Sequence, residues 1–589
     1  MFVNKKSLGY NPVNMRDLVK WVQTDLTEIN ERTFDSSVER LQNSAFFANI
    51  DNFSEFLHEI IVIMGIRPFS VEIITKLLVS ILSKNPEFRS YFVEVFFKEL
   101  YSCVYNLKYV LFRYLRLFYD AGLITINDLY QYANSPNGAP SEVTGLSFVF
   151  FSNEIFKSSE KEWQRFHEYY KYIQNILLMD EIQVLFSYFL PQEQYEGSKI
   201  QEYITIGCLR NSINYYLKFD MIEEFMSIST QPLFDFNQVI RGNGFDSPML
   251  FSAPNLLQYA AFFGSEKCFK YLILNKPRFD YMDEEGRDVL HFAIAGGNFE
   301  IIRQLVSRFD KISDSIMFSI EFRRYEVFYW AIDQNLYNPN LVLFYSSVYD
   351  NIPILEHALS QSITINFSQR RSNEKFAQTS LYSAAIEGNI TILRILLEQP
   401  QITIDTPVES TPLHGSVKYC KWDSFKILTQ IPGININAHI TGTDTPLHLA
   451  IKFGLIKFVK ELFAFPNLDV NAIGSQYRTP MHYAIQYGQL EVAKMLLDHP
   501  GFQFFELDNC KYNYPMYAIH WNQLNILESL INTERYDINY QCNSGDTALH
   551  VATLVGSKPI IEFLLSINGI RTDIKNHKGR RAMEKTCRI

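Results

Sequence analysis

Residues Thr445-Pro-Leu-His-Leu-Ala450 decide the fold, because the same pattern returns at fixed spacing through the second half of the chain. It reads Thr-Pro-Leu-His from Thr411, Thr-Pro-Met-His-Tyr-Ala from Thr479 and Thr-Ala-Leu-His-Val-Ala from Thr547. The starting positions, all 34 residues apart, are Thr411, Thr445, Thr479, Asn513, Thr547 and Arg581. A constant period of this size is typical of proteins that stack one small structural unit many times.

Each part of the pattern has a physical task. The threonine can cap a helix, the proline fits the first helical turn, and the leucine and alanine supply a buried face. A glycine such as Gly454 or Gly488 follows four residues after the alanine and ends this first helix. An apolar segment with helical spacing comes next, followed by Asp-x-Asn motifs and glycine-containing loops that suit a protruding hairpin. The unit is therefore predicted to be two antiparallel helices joined to the next unit by a short β-hairpin loop.

These residues and spacings resemble the ankyrin repeat. The same phase continues upstream at Asn255-Leu-Leu-Gln-Tyr-Ala260 and Asp288-Val-Leu-His-Phe-Ala293, and about ten units are expected from residue 206 to the end. Cys420 and Asn522 replace the helix-ending glycine, and residues 310–378 keep helical periodicity with almost no consensus. A helical N-terminal region followed by a long ankyrin tail also resembles a large protist family of ankyrin-repeat proteins. That resemblance implies protein binding and no activity that can be carried over residue by residue.

The N-terminal third has helical periodicity without the repeat. Apolar residues fall on one face in segments such as 71–81 and 107–118, and the turn-rich cluster 134–141 indicates a linker. The sequence thus predicts an all-α protein: a helical N-terminal domain followed by an ankyrin-repeat solenoid. The expected domains are 1–133 (helical N-terminal domain), 134–205 (linker plus connecting helices), 206–378 (divergent ankyrin-like repeats) and 379–589 (regular ankyrin repeats with a C-terminal cap).

Composition narrows the possible partners. The 589-residue chain has 54 Lys and Arg against 64 Asp and Glu, a net charge of −10. This charge creates no positive electrostatic potential that would attract nucleic acid or anionic membranes. Its seven cysteines are scattered and never form a Cys-x-x-Cys pair, as expected of free thiols in a reducing compartment. We expect an intracellular protein, cytoplasmic or nuclear, with no signal peptide and no membrane-spanning segment. We also expect that it binds neither nucleic acid nor a small-molecule substrate.

Motifs for chemistry are missing from the sequence. It has no zinc-binding His-Glu-x-x-His, no phosphate loop and no Gly-x-Ser-x-Gly nucleophile, so we expect no catalytic residue, metal or cofactor. One histidine recurs at the same repeat position, and we interpret it as structural because neighbouring repeats are too far apart to share zinc. These histidines are His291, His414, His448, His482 and His550. An enzyme within residues 1–205 stays open as a weaker hypothesis.

A partner-binding site is predicted from the residues that precede the helix-ending glycine position. Four large rings occur there in consecutive repeats at the 34-residue spacing, and we name Tyr419, Phe453, Tyr487 and Trp521 the aromatic stripe. In ankyrin solenoids this position and the hairpin tips face a concave groove. The candidate partner-binding residues are Tyr419, Lys452, Phe453, Arg478, Gln486, Tyr487, Tyr512, His520 and Trp521. The rings either bind a partner or pack on one another and on adjacent helices to stiffen the stack, and both could hold together.

Two functions follow as hypotheses. The first is a non-enzymatic scaffold that binds a protein partner through the concave ankyrin surface, where an acidic or amphipathic segment would suit the mixed groove. The second is a substrate-recruiting subunit of an enzyme assembly such as a ubiquitin ligase, with residues 1–133 binding the catalytic partner.

Overall fold

The fold is described from a computed structural model of the chain. It describes residues 15–66, 71–102, 107–133, 208, 210–240, 247–309, 315–336, 339–360, 379–399, 411–439, 444–504, 507–508, 511–583 and isolated positions between 151 and 165. The linker expected at 134–141 lies outside the described residues, as do most residues of the connecting helices expected within 134–205. Two compact units divide the chain, Met1–Ser362 and Ile363–Ile589.

Unit 1 begins with seven helices. Their ranges are α1 (Met15–Asp25), α2 (Phe34–Gln42), α3 (Ile50–Ile66), α4 (Val71–Lys84), α5 (Arg89–Ser102), α6 (Leu107–Asp120) and α7 (Ile126–Ala133). Aromatic side chains fill much of their core: Phe53 packs on Phe88 with ring centroids 4.6 Å apart, and Phe96 contacts Phe118 edge-on at 5.2 Å. The helical N-terminal region that the sequence predicts is thus present.

Five helix pairs follow among the described residues of unit 1. They are α8 (Ile213–Lys218) with α9 (Ile222–Ser229), α10 (Leu256–Phe263) with α11 (Glu266–Leu274), α12 (Val289–Gly296) with α13 (Phe299–Val306), α14 (Met317–Glu321) with α15 (Tyr325–Asp333), and α16 (Pro339–Val348) with α17 (Ile352–Ser360). The last two pairs confirm that helix pairs continue through the stretch with almost no repeat consensus. Each first helix packs on the first helix of the next pair, which is how a repeat stack buries its apolar faces.

The part of unit 2 that the structure describes contains six helix pairs with the same packing order. They are α18 (Ser380–Glu387) with α19 (Ile390–Leu397), α20 (Pro412–Lys418) with α21 (Trp422–Thr429), α22 (Pro446–Lys452) with α23 (Ile456–Phe463), α24 (Pro480–Gln486) with α25 (Leu490–Leu497), α26 (Tyr514–His520) with α27 (Leu524–Ile531), and α28 (Ala548–Val555) with α29 (Lys558–Ser566). The described loops form tight turns and isolated bridges, such as Lys575 with Arg581, in place of the expected β-hairpins. The described part of the chain is all-α.

One residue with positive φ joins the two helices of every pair, and we call it the turn residue. Glycine serves where the sequence predicts it, for example Gly454 with φ of 69°. Cys420 and Asn522 take the same conformation with φ of 56° and 55°, which confirms that they replace the glycine. In the last two helix pairs of unit 1 the turn residues are Arg323 and Asp350, both with φ of 50°. An arginine in this region is uncommon, so its side chain must have a reason to be there.

The N-terminal helices provide that reason. Glu59 on α3 accepts a hydrogen bond from Nη2 of Arg323 at 2.8 Å, and both side chains are almost fully buried. Gln23 on α1 donates from Nε2 to Glu59 at 2.7 Å and accepts from the backbone N–H of Ile352 at 2.9 Å, which caps α17. Nearly one turn before Gln23 on α1, the Lys20 ammonium contacts the Glu356 carboxylate at 2.5 Å. Helices α1 and α3 therefore pack directly on the last two repeats of unit 1.

Asparagine side chains join neighbouring repeats of unit 2 at the loops. Asn471 donates from Nδ2 to the carbonyl of Gly501 at 2.6 Å and accepts from the N–H of Gln503 at 2.8 Å. Asn437 makes the equivalent pair of bonds to Asn467 and Asp469 in the next repeat. These two-way bonds explain the Asn of the Asp-x-Asn motif, because an amide side chain offers a donor and an acceptor at the same time.

Candidate functional site

The aromatic stripe lies at the ends of four consecutive first helices. Tyr419, Phe453, Tyr487 and Trp521 each follow the last residue of α20, α22, α24 and α26 and precede the turn residue. Their exposed fractions are 46%, 45%, 41% and 37% in that order. Four large rings at one repeat position are thus displayed to solvent, whereas the apolar residues before them are buried.

Local sequence fixes where each ring emerges. The hydroxyl of Thr445 accepts a hydrogen bond from the N–H of His448, and Pro446 takes the first position of α22. The buried residues Leu447 and Ala450 then set the face that packs on adjacent repeats. Because the cap fixes the start and the helix has seven residues, Phe453 always falls at the exposed end. The same cap at Thr411, Thr479 and Asn513 places the other three rings.

The stripe rings do not stack on one another. Among these four described side chains, no ring–ring contact joins one repeat to the next; the contacts lie within single repeats. Tyr487 lies 6.1 Å from Tyr483, and Trp521 lies 6.3 Å from Tyr517, measured between ring centroids. Mutual packing therefore does not account for the stripe, and each ring keeps an open face.

Cationic side chains flank one end of the stripe. The Lys418 ammonium lies 5.3 Å from the Tyr419 ring centroid, and the Lys452 ammonium lies 5.9 Å from that of Phe453. Both lysines are exposed, and such contacts of an ammonium with an exposed ring contribute only about 0.5–1 kcal/mol. The positive charge therefore stays available to a ligand.

Loop residues reach the other half of the stripe. Arg478 donates from Nη1 to Oε1 of Gln486 at 2.9 Å. Tyr512 approaches His520 with ring centroids 6.0 Å apart, and His520 contacts the Trp521 ring edge-on at 5.7 Å. The structure thus brings the predicted loop residues next to the predicted helix-end residues of the same repeat.

Sequence reasoning missed one extension of this surface. Leu554 and Val555 end α28 and are 82% and 38% exposed. They occupy the same repeat positions as His520 and Trp521, and the 34-residue spacing could have found them. They were overlooked because neither side chain is aromatic. The exposed apolar line therefore spans five repeats.

The recurring histidines are structural where their bonds are described. Nε2 of His414, His448 and His550 lies 3.2, 3.1 and 3.0 Å from the carbonyl oxygens of Asp444, Arg478 and Arg580, each at the start of the next repeat. Nδ1 of His448 lies 2.8 Å from the hydroxyl oxygen of Thr445, the residue that caps the same helix. These bonds confirm that the histidines connect adjacent units. His482 differs, because its Nε2 is buried without a hydrogen-bond partner among the described residues.

Burial keeps His414, His448 and His482 neutral. Loss of solvent lowers the pKa of His414 and His448 to about 4 and that of His482 to about 3. A neutral imidazole bonded to a cap and a carbonyl holds the stack together without charge. Among the described residues, no group of three or more His, Cys, Asp or Glu side chains has the arrangement of a metal site.

Two carboxylates do converge in unit 1, at Glu59 and Asp350 around Arg323. All three side chains are at least nine-tenths buried, and the Arg323 guanidinium lowers the pKa of Glu59 against the opposing effect of burial. A substrate could not reach groups enclosed in this way. The cluster is a structural contact between the N-terminal helices and the repeats.

Comparison with known proteins identifies the repeats. A family model of ankyrin repeats in three copies matches residues 413–508 and 501–576, and another, of ankyrin repeats in many copies, matches residues 257–306. An ankyrin repeat protein of Acanthamoeba polyphaga mimivirus is 25% identical over 174 residues, which is 29% of this chain and 20% of that protein. The chain therefore contains ankyrin repeats, which are protein-interaction modules. No helix among the described residues is long and apolar enough to cross a membrane.

Proposed function

We propose that the protein is a non-enzymatic scaffold whose unit 2 repeats bind a protein partner through the aromatic stripe and the residues beside it. The observation that supports this proposal most directly is the stripe itself. Its four aromatic side chains occupy one repeat position, are 37–46% exposed and do not contact each other. Rings held at the ends of rigid helices bury much area on binding while few rotatable bonds are frozen. Arg478, Gln486, Tyr512 and His520 add polar contacts along the same line.

The alternative role, recruitment of substrates to an enzyme such as a ubiquitin ligase, needs a further surface on residues 1–133. Part of that region is already used within the chain, since Glu59 and Gln23 contact the repeats of unit 1. Because these residues already bind within the chain, we favour the scaffold function over the substrate-recruiting function. The recruiting role stays a prediction.

The proposal is tested by replacing Phe453, Tyr487 and Trp521 together with alanine in the full chain. We expect the variant to keep its helical circular dichroism and to lose a protein that wild type captures from lysate. Leu565→Ala is the matched control, because this apolar side chain is 42% exposed and lies on the second helix α29, outside the stripe and the loops. Identical captured proteins for the triple variant and wild type would refute the proposal.

A further inference from the structure

The spacing and charge of the stripe define the kind of partner it fits. First helices of successive repeats pack side by side, and packed helices lie about 8–10 Å apart. Equivalent side chains in successive repeats are therefore about 10 Å apart. A ligand that contacts every ring must present one apolar side chain per 10 Å along a single face.

An α-helix meets this requirement. Seven residues of helix advance about 10.5 Å and complete nearly two turns, so every seventh side chain returns to the same face. An extended segment covers about 10 Å in three residues, but its side chains alternate between faces and every second ring would be missed. About 22 helical residues would reach from Tyr419 to Trp521.

Charge distinguishes the two ends of this line. The residue before each ring is lysine in the first two repeats, Lys418 and Lys452, and then Gln486, His520 and Leu554. Neither lysine forms an ion pair with a described residue, and each ammonium lies over a ring. This end is locally cationic on a chain of net charge −10. Carboxylates on a ligand would therefore be favoured here and not at the Leu554 end.

We infer that the stripe binds an amphipathic α-helix of a partner protein, with apolar side chains at every seventh residue and Asp or Glu at the end over Lys418 and Lys452. This inference rests on the proposed function and names the shape and charge of the partner segment. The rings of Phe453 and Tyr487 occupy the middle of the line and contact the apolar face. The lysines set which end of the helix lies where.

The test uses the full chain and two fluorescein-labelled helical peptides of identical composition. One carries leucine at every seventh position with glutamate clustered at one end; the other carries its leucines at every fifth position, which spreads them around the helix. We expect the first peptide to bind at least about tenfold more tightly in fluorescence anisotropy. Equal affinities, or no saturable binding of the seven-residue-spaced peptide, would overturn the inference.

Variants separate the apolar contribution from the charge. Phe453→Ala with Tyr487→Ala should weaken binding of the seven-residue-spaced peptide about tenfold or more, and Leu565→Ala should leave its affinity unchanged. Lys418→Gln with Lys452→Gln should weaken binding several-fold at low salt, with a smaller difference at high salt because exposed charges are screened. A double lysine variant that binds as tightly as wild type at low salt would contradict the charge assignment.

The two proposals fail in distinguishable ways. Loss of the captured protein in the Phe453, Tyr487 and Trp521 variant, together with equal peptide affinities, refutes the helical partner and leaves the scaffold intact. If the triple variant captures the same proteins as wild type, the scaffold function itself fails.

Discussion

Phe322 and Phe453 occupy the same position in their repeats, one residue before the turn residue, yet only one of them faces solvent. Phe322 is 3% exposed and packs against Phe262 at 6.0 Å, in a repeat whose turn residue Arg323 is covered by the N-terminal helices. Phe453 is 45% exposed beside an uncovered Gly454. The comparison teaches that this edge of a repeat is covered by helices of the same unit around Arg323 and is open to solvent around Phe453.

The largest expected difference between the two regions is their response to acid. Burial lowers the pKa of His414 and His448 to about 4 and of His482 to about 3, so folding must release their protons below pH 6.5. Each should cost about 2 kcal/mol of unfolding free energy between pH 7 and pH 5, and the three together about 6 kcal/mol. Stability of unit 2 is thus present above pH 6.5 and is lost as pH falls toward 4.

Unit 1 carries an opposing contribution. Burial, and the nearby Glu59 carboxylate, raise the pKa of Asp350 well above its ordinary value. A carboxyl group whose pKa rises on folding favours the folded state as the solution becomes more acidic. Urea unfolding by pulse proteolysis at pH 7 and pH 5, with peptides assigned by mass spectrometry, should show unit 2 destabilised more than unit 1. Equal destabilisation of both units would contradict this assignment.

The two phenylalanines themselves give the sharpest pairwise test. Phe322→Ala removes a buried ring and should destabilise unit 1 by about 3–5 kcal/mol. Phe453→Ala removes a ring that is nearly half exposed and should change the stability of unit 2 by less than about 1 kcal/mol. Urea midpoints for both variants measure the difference. If both substitutions lowered the unfolding free energy by similar amounts, the stripe rings would stabilise the stack, and their exposure would not indicate a binding surface.

A third prediction concerns the contact that covers the edge in unit 1. Glu59→Leu leaves the Arg323 guanidinium buried without its carboxylate and should cost about 3–5 kcal/mol. The double variant Glu59→Leu with Arg323→Met should recover most of this loss, because no uncompensated charge remains. Glu491→Leu is the matched control, since its ion pair with Lys460 is more than half exposed. A Glu59→Leu protein as stable as the control variant would refute the role of the buried pair.

The smallest effect is expected at the loops that join repeats. Asn471→Ala removes one donated and one accepted bond to the next repeat and should destabilise unit 2 by about 1–2 kcal/mol. Asn525→Ala, at an exposed position of α27, serves as control and should have almost no effect. Thermal unfolding by circular dichroism can compare the two proteins. If both lose the same stability, the side-chain bonds of Asn471 contribute nothing specific.

Prediction from sequence worked best where the signal is local. The cap at Thr445, the proline after it and the glycine at 454 act within one repeat, so the pattern alone locates α22, its end and the exposed Phe453. The histidine bonds follow the same logic, because His448 and the carbonyl it meets are one period apart. Leu554 and Val555 obey the same spacing and were missed only because aromatic side chains were sought.

The repeat stack and the line of exposed rings were therefore determined by sequence alone, since short-range capping and helical periodicity specify them. Only the tertiary structure decided that Arg323 and Asp350 serve as turn residues and that Glu59 covers them. Glu59 and Arg323 lie 264 positions apart, and no periodicity links them. The Glu59–Arg323 pair forms because the N-terminal helices and the repeats pack together and exclude water from both charges. Only the tertiary structure shows this packing.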